Sequence, residues 1–231
     1  MVQSNDEKAE NRMGYVTRRQ QPLSIAAIVR LLALIKEEAE EQEHHVAREF
    51  FKVGAAVALV VCGSLRGNEV FMLDLNGLRK HIDLGKQGTL PEDPMKAGTD
   101  LSQAPHVIIP LLGQFKGELG FRYHIMSLAS TTSSGIELRW WMQKLIQVRQ
   151  EENCTTGPGF GHMDGVVALM REYDEVIQSF LSVIQQEDNN LMDATDDVQT
   201  IYGLSRTFRQ TAEGRARAPN LESDVQNTMN R

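Results

Sequence analysis

Helical spacing of apolar residues over most of the chain, two short β-prone runs around a glycine-flanked turn, and a hydrophobic content of 41% in 231 residues predict a mainly α domain with one small β-hairpin or sheet. The class is α+β. Length and apolar content suffice for a single sizeable core. Residues 1–21 are polar and mixed in charge, so they are expected to form a disordered arm ahead of one domain spanning 22–231.

The first helix is expected after Pro22, with Ser24 as N-cap and Ile25, Ile28, Val29, Leu32 and Ile35 at helical spacing. It runs into Glu37, Glu38, Glu40, Glu41 and Glu43, read as a solvated face rather than a metal site. His44 and His45 are adjacent, so on a helix they point apart and do not form a ligand pair. A second helix, Val46 to Cys62, is apolar on nearly all sides at Ala55 to Val61, which suits the centre of a helical core; Gly63 ends it. The stretch SLRGNEVFMLDLNGL should carry a short helix or turn with one buried face, and 85–103, rich in Gly, Pro and polar residues, a loop. HVIIPLL and YHIMSL then read as the strands of the hairpin. Helix returns at Ile136 to Gln150. The Gly157 to Gly161 loop separates it from a helix at Val166 to Gln186, and a polar loop, 187–198, leads to an arginine-rich segment and a last helix through Val225 and Met229.

The longest apolar stretch, Val53 to Cys62, is broken by Gly54 and falls short of the roughly 20 residues needed to span a bilayer. The polar N-terminus lacks a signal-peptide core. The expectation is an intracellular protein, nuclear in a eukaryote, with no membrane partner. Cys62 and Cys154 lie far apart, so free thiols are expected rather than a disulfide or a metal knuckle. A net charge of -7 argues against a surface coated in basic residues, but phosphate contacts need only a local cluster. Ser205 to Arg217 supplies one, with Arg206, Arg209, Arg215 and Arg217 against Glu213.

Metal-free phosphoryl transfer needs cationic donors around the scissile phosphate, an acid for the leaving oxygen and an in-line nucleophile. Arginine suits the first task because its planar guanidinium keeps its proton and grips two oxygens at once. Three segments bear on this. CGSLRGNEVFMLDLNGL holds Arg66 and, three residues on, Glu69. HVIIPLLGQFKGELGFRYHIMSL holds Lys116 in its turn. LSRTFRQTAEGRA holds Arg206 and Arg209 around Phe208. Alone, each has a plainer reading: an i,i+3 ion pair for Arg66 and Glu69, a solvated turn lysine for Lys116, one basic helix face for Arg206 and Arg209.

Taken in this order, the segments resemble the catalytic domain of tyrosine recombinases, the phage-integrase class. The first is similar to that family's first arginine box, the second to the hairpin that delivers its catalytic lysine, and the third to its second arginine box. The resemblance implies the integrase catalytic-domain fold over residues 22–231. It also implies catalytic roles for Arg66, Lys116, Arg206 and Arg209, a structural role for Glu69, packing by Phe208, and DNA contacts from the same four cations and Arg215. DNA is the implied partner, self-association is left open, and neither a metal nor another cofactor is implied. Two departures matter. Arg206 stands where the second box usually begins with histidine. After Arg209 the chain has no histidine, tryptophan or tyrosine, since Tyr15, Tyr123, Tyr173 and Tyr202 all lie upstream. The implied protein is therefore inactive in strand cleavage as it stands: a truncated relic, a DNA-binding remnant, or a fragment of a gene whose continuation restores the nucleophile.

Two other readings compete. A helical interaction or scaffold domain would use Trp140, Trp141 and their helix as a partner surface and have no DNA role. A nucleotide-binding enzyme would rest on Gly157 to Gly161, but that loop lacks the lysine and the hydroxyl residue of a phosphate-binding loop.

Overall fold

The structure is a computed structural model that describes residues 22–81, 105–115, 118–162, 168–188, 190–204 and 207–208. The expected arm at 1–21, the loop at 85–103 and the last helix through Val225 and Met229 lie outside the described residues.

Helix α1 (Ile25–Glu41) opens as expected: Ser24 is extended, and its hydroxyl accepts from the Ala27 N–H at 3.0 Å. Ala27, Ile28, Leu31, Leu32, Ile35 and Ala39 form its buried stripe. Extended Gln42 interrupts the acidic run, so Glu43 caps the next helix, α2 (His44–Gly63). From Lys52 to Val61 every residue of α2 is buried, the pattern of a helix enclosed on all sides. α1, α5 (Leu138–Glu151) and α6 (Met170–Glu187) pack against it. Gly63 is the last helical residue, and the left-handed cap falls on Ser64, φ 51°. The Leu65 N–H then closes on the Val60 carbonyl at 3.1 Å.

Instead of one short element, the segment after α2 folds as two helices around a bridge. Helix α3 (Gly67–Val70) comes first. Leu73 then bridges antiparallel to Leu111, and α4 (Leu75–His81) follows. The hairpin forms as predicted, with β1 (His106–Gly113) antiparallel to β2 (Arg122–Ala129) and His106 opposite Ala129. β1 is buried throughout its middle because α3, α4 and α5 all touch it.

α5 begins two residues later than expected. Ile136 is occupied by a turn in which its N–H donates to Thr132 Oγ1 at 3.0 Å, with Gly135 at φ 86°. α6 is described from Met170, not Val166, because extended Leu169 precedes it as N-cap; 163–167 lie outside the described residues. The polar stretch after α6 ends in an unforeseen single turn, α7 (Val198–Ile201), capped by the Asp197 carboxylate. The chain is thus mainly helical with one two-stranded antiparallel sheet. Among the described residues no helix is long and apolar enough to cross a membrane.

Candidate functional site

Arg66 is the only one of the five proposed phosphate contacts within the described residues; Lys116, Arg206, Arg209 and Arg215 lie outside them. The expected Arg66–Glu69 ion pair is present at 3.1 Å but does not lie within a helix. Arg66 is extended, ψ 152°, and is the N-cap of α3. Glu69 Oε2 accepts from the Arg66 backbone N–H at 2.7 Å, while Oε1 meets the guanidinium Nη1. One buried carboxylate therefore fixes both the backbone and the head group of Arg66, as a capping-box glutamate does. The Arg66 side chain stays 36% exposed against 7% for Glu69, so the cation is held in place and still reaches solvent.

The first two segments meet, and the first and third both contact the start of α6. Five residues after Arg66, the Phe71 ring packs edge-on against Tyr173 at 5.1 Å between centroids, at the start of α6. The hairpin is tied to the same strand of chain: the Leu112 N–H donates to the Met72 carbonyl at 2.8 Å and the Asp74 N–H to Pro110 at 3.0 Å. The Leu204 N–H, just ahead of Arg206 in sequence, donates to Asp174 Oδ1 at 2.6 Å, next to Tyr173. Leu204 and Phe208 are fully buried, the packing implied for Phe208.

The turn between the strands is braced at its base. Glu118 accepts from the Phe115 N–H at 3.2 Å and lies 3.0 Å from His124 Nε2, and the Phe115 and His124 rings stand 4.1 Å apart. Leu119, Phe121, Tyr123 and Ile125 are apolar residues exposed on the hairpin.

The three described tyrosines all have their hydroxyl pKa raised. Burial holds the Tyr173 hydroxyl well above its ordinary pKa. The Tyr202 hydroxyl is raised by burial and by donating to Asp196, and that of Tyr123 by donating to Asp74. A phenol held protonated is a poor attacking group.

The Gly157 to Gly161 loop works as a strap. Gly157 accepts from the Leu75 N–H at 2.8 Å, and the Gly159 N–H donates to Leu73 at 2.7 Å. Phe160 is fully buried, and the Gly161 carbonyl accepts from Arg149 at 2.8 Å. Its backbone is engaged by the fold, which leaves no phosphate cradle there.

Sequence reasoning missed a buried ionic cluster behind this strap. Lys52 Nζ reaches Glu152 Oε1 at 3.1 Å, and Arg149 donates to Glu152 Oε2. The Arg149 side chain is 1% exposed, and those of Lys52 and Glu152 are 2%. The available signal was a lysine inside the apolar run FFKVGAAVALVV. Trp141 is buried beside Gly54 in the core, while Trp140 lies at the rim with Lys36 over its ring at 4.7 Å.

Compared with known protein families, characterised proteins and solved structures, the chain matches none of them.

Proposed function

We propose that this chain is a DNA-binding domain of the tyrosine-recombinase catalytic type. The observation that carries the reading is Arg66: a solvent-reaching guanidinium fixed at backbone and head group by buried Glu69. The strand of chain that follows it is bonded to the hairpin. Its Phe71 meets α6 one residue from the anchor of the Leu204 segment. In this reading Arg66 and Arg209 neutralise phosphate charge, Arg206 supports them, Arg215 adds a backbone contact, and Lys116 would protonate a leaving 5′ oxygen.

The test is fluorescence anisotropy of a labelled duplex with this protein and an Arg66→Ala, Arg209→Ala double variant over a range of salt. Each lost phosphate contact should lower the slope of log affinity against log salt by about 0.9, so the double variant should bind more weakly with a slope reduced by roughly 2. No binding at low salt, or binding that the variant leaves unchanged, would remove this reading and favour the helical interaction domain.

A further inference from the structure

Beyond the DNA-binding reading, we infer that a groove along α6 is a docking site for a cationic amphipathic helix of a partner protein. Its floor is Phe50 of α2 with Val176, Phe180 and Val183 of α6; its rim is Glu38 of α1 with Glu172 and Glu175 of α6. Val176, Phe180 and Val183 follow the i, i+4, i+7 spacing of a helix-packing seam. This seam lies beside, and is separate from, the stripe Tyr173, Ile177, Leu181 and Ile184 that α6 turns into the core. Phe180 already meets Phe50 edge-on at 5.8 Å, which closes the floor, while Val183 remains 40% exposed. From Glu172 to Val183 the seam runs about 16 Å, enough for three turns of a second helix.

Charge selects the occupant. No lysine or arginine is among the residues lining the groove, and three carboxylates border it. Of these, Glu172 caps the Leu169 N–H at 3.0 Å with His162 at 3.3 Å, and Glu38 accepts from Gln42. Nucleic acid would meet like charge along the whole rim. A helix with apolar residues at i, i+3, i+4 and i+7 and lysine or arginine on its flanks would bury the seam and set a cation against each carboxylate, the helix-in-groove mode of recognition.

The probe is a labelled designed peptide of roughly 18 residues, about five helical turns, with leucine at those positions and lysine elsewhere. It is compared with a scrambled peptide of the same composition and with a version carrying glutamate for lysine. The full chain should bind the patterned lysine peptide about ten-fold more tightly than the scrambled one, a difference near 1.4 kcal/mol, and should not bind the glutamate version. A Glu175→Lys, Val183→Lys double variant, shown by circular dichroism to be folded, should lose that preference. Equal binding of patterned and scrambled peptides, or a preference the variant retains, would overturn the proposal. So would sedimentation showing that the unliganded chain dimerises and that the variant abolishes the dimer, which would give the groove to a second copy. DNA anisotropy with the same variant separates the two readings, because neither changed residue belongs to the cationic set.

Discussion

Lys52 Nζ and Glu152 Oε1 lie 3.1 Å apart with both side chains 2% exposed, so the pair is shut away from water. Glu152 also accepts from Arg149, while Lys52 Nζ has a second, exposed partner in Glu49 at 2.6 Å. Glu152→Ala would strand Arg149 and leave Lys52 only Glu49, and removing one partner from a buried pair typically costs about 3–5 kcal/mol. Lys52→Met should cost less, because Arg149 still balances Glu152 and the methionine chain fills the same volume. Chemical denaturation of the two variants should show that order. Equal losses would mean that Arg149 does not compensate.

Gly54 shows why a glycine sits in the most buried stretch of α2. A Cβ there would fall inside the contact distance of the Trp141 ring, so the two helices approach closely only because the methyl is missing. Gly54→Ala should destabilise by about 1–3 kcal/mol through overpacking, despite the higher helix propensity of alanine. Thermal melts of Gly54→Ala and of Gly54→Ala with Trp141→Leu would test the cause. The second change should recover part of the loss if ring contact is the reason.

The α1 helix was legible because periodicity records which face is buried, and the hairpin because two β-prone apolar runs flank a glycine-bounded turn. The N-cap at Ser24 was legible for a local reason, a hydroxyl placed before an apolar run. Boundaries set by tertiary contacts were not. Leu169 ends up extended where helical pattern alone ran on from Val166, and Asp197 caps a turn inside a stretch that read as loop. The candidate site was legible only at Arg66, where a local i,i+3 pattern also fixes the geometry. Arg149 and Glu152 are an i,i+3 pair, but Lys52 joins them from a hundred positions away, and no local pattern encodes that partnership.

Tyr123 ties the hairpin to α4 by donating its hydroxyl to Asp74, which also accepts from the Gly77 N–H at 2.9 Å. Tyr123→Phe should cost about 1 kcal/mol, the net worth of one hydrogen bond at a half-exposed position. The sign with pH follows from the raised Tyr123 pKa. A group that holds its proton more tightly when folded contributes fully below its unfolded pKa, about 10 for tyrosine. That contribution is lost as pH rises through the folded value. The gap between wild type and Tyr123→Phe in denaturant melts should therefore be constant at neutral pH and close in strong alkali.

Asp174 anchors the segment that leads toward Arg206, and its carboxyl is pushed upward by burial, opposed by the Leu204 N–H that donates to it. A carboxyl raised in the folded state favours folding when protonated and opposes it as pH climbs through the folded value. Ionised Asp174 is thus a cost at neutral pH, tolerated because its oxygen holds Leu204. Asparagine offers the same acceptor without the charge. Asp174→Asn should be more stable than wild type at neutral pH, with the difference shrinking as pH falls through the carboxyl range, whereas Asp174→Ala should be less stable because the Leu204 N–H loses its acceptor. Thermal melts of the three proteins across that range read the effect directly. A fixed offset between Asp174→Asn and wild type at all pH values would mean that the charge is not what burial opposes.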